Sequence, residues 1–472
     1  MDASERRRPD RRSPIRRLTA YDQHCLRVER SDRPLQMGVL AVLGGRGLLD
    51  AEGRLPIDAI RRAIDRRLVH VPELRRIVHY PGPLAGGPTW VDDPAFGIER
   101  HVTAVDLPPP GDEAALLSLV ERLVASPLER SRPLWRMWFI SGTVGGPVVL
   151  LVVIHHALAD GRTAMRMVRT LLDGEDLGAE SGPSPPTEVA PPSPWRALTA
   201  DHLRSIAASA RRVVAPSTWR QLAPVIRYGR RAVALGREPS VVSLNAPVGP
   251  RRRLAVMRLD GATARATARS ACASINDLVL CIVTAGLRAL LRDRGELSGR
   301  MRPRAGVAVA LFSADRSGQP GNDIGTMLVP LPVDEDEPAV RLAHIAAASA
   351  RARGDPSIAI EPTLRAWVRR IGGARTLEHQ RLVNLHETFL PGPPRPIRAL
   401  GAEVVDLVPI APLAGNLALS VVALSYAGRI TIAVRADADA FPDLDVLIVA
   451  MERDWRRLAI RDAPPTPVSS VS

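Results

Sequence analysis

At 472 residues and 46% hydrophobic composition the chain can build two or three domains with separate cores, and its net charge of +14, from 64 cationic side chains that are all arginine, favours anionic partners such as phosphates or acidic lipid surfaces. An aromatic content of 3%, arginines spread along the chain and the absence of a helix-turn-helix or stacking platform argue against nucleic acid. Cys25, Cys272 and Cys281 are few, odd in number and far apart, which suits a reducing, cytoplasmic compartment without a metal site, and no apolar run approaches the roughly 18 residues of a membrane span.

Residues 1–17, with Arg6-Arg7-Arg8 and Arg16-Arg17, read as a disordered basic arm, because no apolar segment follows the twin arginines as an export signal would require. A first domain is expected over 18–173. There Ile57, Ile60, Ile64 and Leu68 recur at helical spacing after Pro56, and Asp112 stands where it can cap a helix carrying Leu116, Leu119, Val120 and Leu123. Residues 135–140 and 148–154 read as neighbouring strands joined by a Gly-rich turn.

The second of these strands runs into His155-His156-Ala157-Leu158-Ala159-Asp160-Gly161, an HHxxxDG motif with a chance frequency on the order of one in a thousand for a chain this long. It sets a side chain that exchanges protons near neutral pH at the exit of a rigid, buried strand, as an acyl-transfer site needs. A histidine at a strand end also serves to satisfy local backbone groups, a role that suits His155 and leaves His156 for chemistry. Asp160 with Gly161 forms a turn that starts a helix, where aspartate is favoured without catalysis, and Ala164, Val168, Leu171 and Leu172 line one face of that helix.

Residues 174–194 are rich in Pro, Ser and Gly and read as an extended linker within a connecting region 174–250. Over 199–238 apolar residues such as Leu203, Ile206 and Trp219 alternate with Arg204, Arg211, Arg220 and Arg227, a pattern open to three readings: a solvated helix, a membrane-surface helix or a phosphate contact. A second α/β domain is expected over 251–462, with a strand at Leu254, Val256 and Arg258 and a Ser274-Ile275-Asn276-Asp277 helix start. A helix over 278–291, apolar nearly all round, should be buried, and strands are expected at 306–312, 327–331, 419–424 and 430–434. Residues 463–472 read as a disordered tail.

Several separated motifs share one order. They are Leu18-Thr19-Ala20-Tyr21-Asp22, Trp90-Val91-Asp92-Asp93-Pro94, residues 127–135 ending in Pro133-Leu134-Trp135, the HHxxxDG motif, residues 245–252, Asn276-Asp277, Gly321-Asn322 and Ser425-Tyr426-Ala427-Gly428-Arg429. In this series, from about residue 18 to 460, the chain resembles the bacterial wax ester synthase/acyl-CoA:diacylglycerol acyltransferase family. The resemblance implies an α/β (α+β) fold of two chloramphenicol-acetyltransferase-like domains, mixed sheets flanked by helices, around a solvent channel. It implies catalysis by His156, a loop-holding role for Asp160, and room for backbone approach at Gly161. Pro133, Leu134, Trp135, Asn276, Asp277, Gly321 and Asn322 are implied in the channel or its architecture, although Trp135 also suits ordinary core packing.

Two segments depart from the family pattern. A Ser-Asn-Val-Pro-Gly-Pro segment is replaced by Glu387-Thr388-Phe389-Leu390-Pro391-Gly392-Pro393, and a Pro-Val-Ser-Val-Arg-like strand by Ala310-Leu311-Phe312-Ser313. Both leave the acceptor open. The expected reaction is esterification of a long-chain alcohol or diacylglycerol by acyl-CoA as co-substrate, with no cofactor and no metal, and with Asn276 the candidate oxyanion donor. The alternatives are a relative acting on a specialised small-molecule acceptor and a non-catalytic lipid-binding protein, and contact with the inner membrane face or a lipid droplet stays open.

Overall fold

The computed structural model describes residues 15–44, 48–50, 52–172, 191–214, 226, 230, 242–299, 301–310, 324–354 and 378–461. The first half runs β1 (Arg16–Arg17), α1 (Ala20–Val28), β2 (Gln36–Gly44), α2 (Ile57–Arg67), β3 (Arg76–His79), β4 (Thr89–Asp92), β5 (Val102–Asp106), α3 (Glu113–Ala125), β6 (Trp135–Ser141), β7 (Val148–His155), α4 (Gly161–Leu172) and α5 (Trp195–Val214). The second runs β8 (Arg252–Asp260), α6 (Gly261–Ser270), α7 (Ile275–Asp293), β9 (Arg304–Ala310), β10 (Ile324–Pro330), α8 (Pro338–Arg353), β11 (Leu385–Pro391), β12 (Arg398–Ala399), β13 (Ala402–Ile410), β14 (Leu419–Tyr426), β15 (Arg429–Asp437) and α9 (Leu444–Arg461).

Helix starts follow local chemistry. The Thr19 hydroxyl accepts the Asp22 amide while Asp22 accepts the Thr19 amide, closing a capping box on α1. Asp112 accepts the Ala115 amide at the start of α3, and Ser274 with Asp277 builds the same reciprocal box on α7. Nearly every side chain of α7 from Asp277 to Leu291 is buried, as its all-round apolar pattern requires.

Two six-stranded mixed sheets carry the architecture, in the orders β12-β13-β2-β7-β6-β5 and β10-β9-β11-β14-β15-β8. Each holds parallel and antiparallel pairs and is flanked by helices, so the fold is of the mixed α/β kind. Strand β7 sits centrally and is buried at all eight positions. Val148, Leu150, Val152 and Ile154 join one core and Val149, Leu151 and Val153 another, which is why its sequence is an unbroken apolar run.

Two departures from the sequence reading follow. The arm expected over 1–17 is ordered at its end, since Arg16 and Arg17 pair with Trp90 and Thr89, and Arg17 also bonds Asp201 at 2.6 Å. Residues 398–410, grouped by sequence with the second domain, hydrogen-bond into the first sheet through β13 and β2. Strand β9 is described only to Ala310, and 311–312 lie outside the described residues, as do 173–190 of the Pro-rich stretch and most of 215–241.

The two halves are joined by charge as well as by chain. Arg435 on β15 holds Glu121 on α3 at 2.8 Å with both side chains buried, and Arg258 on β8 reaches Asp406 on β13 and Glu113 on α3, each at 2.7 Å. Among the described residues no single helix is long and apolar enough to cross a membrane. The α6–α7 pair passes on length and composition together but is bent by 94°, and α7 is core.

Candidate active site

Strand β7 delivers the HHxxxDG motif between two anchors. At its exit the Ala157 amide donates to Nδ1 of His155 at 2.9 Å, so that nitrogen carries the lone pair and Nε2 the proton. Nε2 then donates to Oε1 of Glu29 at 3.0 Å. Glu29, at the end of α1, also accepts the Leu35 amide and the guanidinium of Arg130, the latter at 2.8 Å. Burial pushes the Glu29 carboxyl up, but the bonds from His155, Arg130 and Leu35 outweigh it and hold its pKa below the usual 4.5.

The second anchor is Asp160. Its Oδ1 accepts the Thr163 amide at 2.7 Å and its carbonyl the Ala164 amide at 2.8 Å, which makes it the cap of α4. Between the anchors the His156 amide donates to the Leu35 carbonyl at 2.9 Å. His156 is half-buried as a residue with its ring Nδ1 buried, and the ring meets Tyr21 of α1 edge-on, centroids 5.4 Å apart.

Burial is the largest influence on the His156 ring and lowers its pKa below 6.5. Its own backbone bond and Asp160 oppose the shift, whereas the charged forms of His155 and His386 add to it. The ring is therefore a free base at neutral pH. A neutral imidazole held at this depth is suited to take a proton from a hydroxyl and return one to a leaving group.

The other motif residues divide into groups. Pro133, Leu134 and Trp135 are all buried; the Trp135 indole donates to the Leu74 carbonyl at 2.6 Å and stacks on His101, and the Leu134 carbonyl accepts the His155 amide, so the three pack beside the end of β7. At Gly161 the nearest neighbour to an added Cβ is not backbone but the Leu390 side chain on β11, 3.4 Å away. The room expected there faces a side chain of the second domain. Asp277 is buried in the cap of α7, while the half-buried Asn276 lies beside Glu387. Gly321 and Asn322 lie outside the described residues.

The remaining motifs meet each other. The Gly392 amide donates to the Ser425 carbonyl and the Ala427 amide to the Pro393 carbonyl, which lays the Pro391-Gly392-Pro393 segment over the β14–β15 turn. Ala427 and Gly428 have φ of 44° and 82°, the left-handed pair of a tight hairpin.

Sequence reading missed Glu29, Tyr21, His386 and Glu387. Tyr21 lies within a motif already singled out, and His386 and Glu387 border or fall in the segment that departs from the family pattern. Glu387 is fully buried, neither of its oxygens makes a hydrogen bond of ordinary geometry, and burial pushes its carboxyl up to about 8.

Comparison with known proteins places these features. A family model described as the wax ester synthase/diacylglycerol acyltransferase catalytic domain matches residues 18–279, and one described as the WS/DGAT C-terminal domain matches 320–459. A Mycobacterium tuberculosis protein named "probable diacylglycerol O-acyltransferase tgs1" is 32% identical over 462 residues, covering 93% of this chain and 95% of its own length. The wax ester synthase/diacylglycerol acyltransferase structure from Marinobacter aquaeolei VT8 aligns with a TM-score of 0.67 at 21% identity, over 95% of this chain and 100% of that one. The first condensation domain of the CDA synthetase has the same fold, with a TM-score of 0.59 at 16% identity over 98% of this chain and 99% of that one.

Proposed function

Since the chain belongs to the wax ester synthase/diacylglycerol acyltransferase family of O-acyltransferases, we propose that it esterifies a long-chain alcohol or diacylglycerol with the acyl group of acyl-CoA, His156 acting as general base. Neutral His156 takes the proton of the acceptor hydroxyl as its oxygen attacks the thioester carbonyl. The imidazolium then protonates the departing thiolate of CoA. Oxygen replaces sulfur on the acyl carbon, the proton moves from hydroxyl to thiol, and neither an acyl-enzyme nor a cofactor enters the scheme.

The observation that supports this reading is the division of labour in the histidine pair. His155 is fixed through both nitrogens, and the loop carrying His156 is pinned on either side, by His155 and by the Asp160 cap.

The same proposal places the enzyme against an acidic membrane or lipid-droplet surface on the cytoplasmic side. Helix α5 is docked by buried Leu198 and by the Arg17–Asp201 pair, yet leaves Trp195 62%, Leu203 61% and Ile206 51% exposed beside Arg196 and Arg204. Apolar side chains flanked by arginines on one helix are the pattern of a helix lying in a headgroup layer.

The test is thiol release from palmitoyl-CoA with hexadecanol or dioleoylglycerol. Positioned base catalysis contributes about 10²–10⁴-fold, so His156→Ala should lose that much turnover. Wild-type-like rates in His156→Ala would remove the mechanism, and no acceptor-dependent thiol release from the wild-type protein would remove the reaction.

A further inference from the structure

A second imidazole faces the site from the other domain. His386 lies on β11, in register with Gly306 of β9. Alternation along β11 turns Leu385 and Glu387, both fully buried, toward the second domain's interior, and His386, Thr388 and Leu390 toward the opposite face. Leu390 on that face reaches Gly161 at the start of α4, so this side of β11 looks onto the HHxxxDG loop. His386 is near enough to His156 for its charged form to lower the proton affinity of that ring.

The neighbours of His386 form a seat for its ring. A Cβ on Gly306 would come within 3.0 Å of Val383 Cγ1, 3.1 Å of His386 Nδ1 and 3.3 Å of Thr326 Cγ2, so the absent side chain at 306 makes the space. Nδ1 lies 3.3 Å from the Gly306 carbonyl. A carbonyl only accepts, so Nδ1 carries the proton and Nε2 the lone pair. The ring is half-buried, and burial lowers its pKa, which keeps it neutral. It is thus an uncharged hydrogen-bond acceptor on the wall that faces the reacting histidine.

We propose that His386 is a specificity-determining residue whose Nε2 accepts a hydrogen bond from a second donor group on the acceptor, a hydroxyl or amide N–H beside the reacting hydroxyl. The inference rests on the esterification reading above. It narrows the acceptor of that reading to a polyol- or amide-bearing lipid in preference to a plain alkanol or a diacylglycerol, neither of which offers a second donor. A purely apolar wall would not make this distinction.

The experiment compares 1,2-hexadecanediol with 1-hexadecanol as acceptors for palmitoyl-CoA, read as the ratio of kcat/KM for the two. One hydrogen bond of ordinary strength corresponds to a preference of about 3–10-fold for the diol in the wild-type protein. His386→Leu should bring the ratio close to one, and His386→Gln, whose amide oxygen is a neutral acceptor, should recover part of it. Thermal unfolding of both variants reports on folding, and a loss of ratio in a fully folded His386→Leu that Gln rescues separates recognition from packing. A wild-type ratio of one, or a ratio unchanged in His386→Leu, overturns the proposal while leaving esterification intact. Absence of thiol release from the wild-type protein with every acceptor overturns both.

Discussion

Nε2 of His155 and Oε1 of Glu29 lie 3.0 Å apart although 126 residues separate them in the chain. The pair locks α1 to the exit of β7, and Leu35, whose amide Glu29 accepts, offers its carbonyl to the His156 amide. His155→Ala leaves Glu29 buried with Arg130 and Leu35 still bonded, so the expected cost is about 1–3 kcal/mol of stability, with turnover reduced because the His156 loop loses an anchor. His156→Ala should lose turnover with little change in Tm. Thermal unfolding and thiol release on the two variants check this contrast, and equal Tm losses in both would contradict it.

The pH profile follows from the His156 environment. Burial, the largest influence, lowers its pKa, with the charged forms of His155 and His386 acting in the same direction and Asp160 and the ring's own backbone opposing. In the proposed mechanism the base form is the active one. It is fully present at neutral pH and lost only as pH falls below the ordinary 6.5, so kcat/KM should be flat near pH 7 with its acid limb displaced below that value. A limb at or above pH 7 would assign the base to a different group.

What the sequence disclosed was the local part of this site. The apolar run into His155 was legible because β7 is buried on both faces, and the Asp160-Gly161 turn and the Ser274–Asp277 box were legible because helix caps are written within four residues. What escaped it was set by pairings across the chain. Nothing near residues 402–410 indicates that they extend the first sheet beside β2, and nothing near Trp135 shows that its indole will find the Leu74 carbonyl, 61 residues away. His386 was hidden for the same reason: its relation to His156 exists only once β11 faces the first domain.

Glu387 predicts an unusual pH dependence of stability. Burial raises its carboxyl from the ordinary 4.5 to about 8, with Asn276 partly opposing and Asp277 adding to the shift. Between those values the folded state keeps a proton that the unfolded chain releases, so stability falls as pH rises, by up to about 1.4 kcal/mol per pH unit. Glu387→Gln removes the ionisation with little change in shape. Chemical unfolding at pH 5 and pH 8 should show the variant gaining on the wild-type protein at the higher pH, and parallel losses in the two proteins would rule out the buried carboxyl as the cause.

The Arg435–Glu121 pair predicts how the halves respond to a broken contact. Both side chains are buried, at 4% and 7% exposure, and Arg435 also donates to the Ala411 carbonyl. Arg435→Leu strands a buried carboxylate and should cost about 3–5 kcal/mol, whereas replacing both residues with leucine removes the stranded charge and should recover most of it. A double-mutant cycle by denaturant unfolding measures this, and additive losses would mean the two groups do not stabilise one another.

The exposed face of α5 supplies the last prediction. Trp195, Leu203 and Ile206 leave apolar surface in water, and Arg196 and Arg204 beside them favour an anionic layer over a neutral one. Each basic residue near such a surface is worth about 1 kcal/mol, and the attraction is screened by salt. Sedimentation with phosphatidylglycerol vesicles should therefore be strong at low ionic strength, weaker with phosphatidylcholine alone, and reduced in Leu203→Ser/Ile206→Ser. Because Leu198 and Asp201 hold the helix to the body from its other side, these two substitutions should leave Tm unchanged. Vesicle binding that is indifferent to both lipid charge and the double substitution would move the contact to another face, since no other role for the exposed apolar side chains of α5 predicts a response to either.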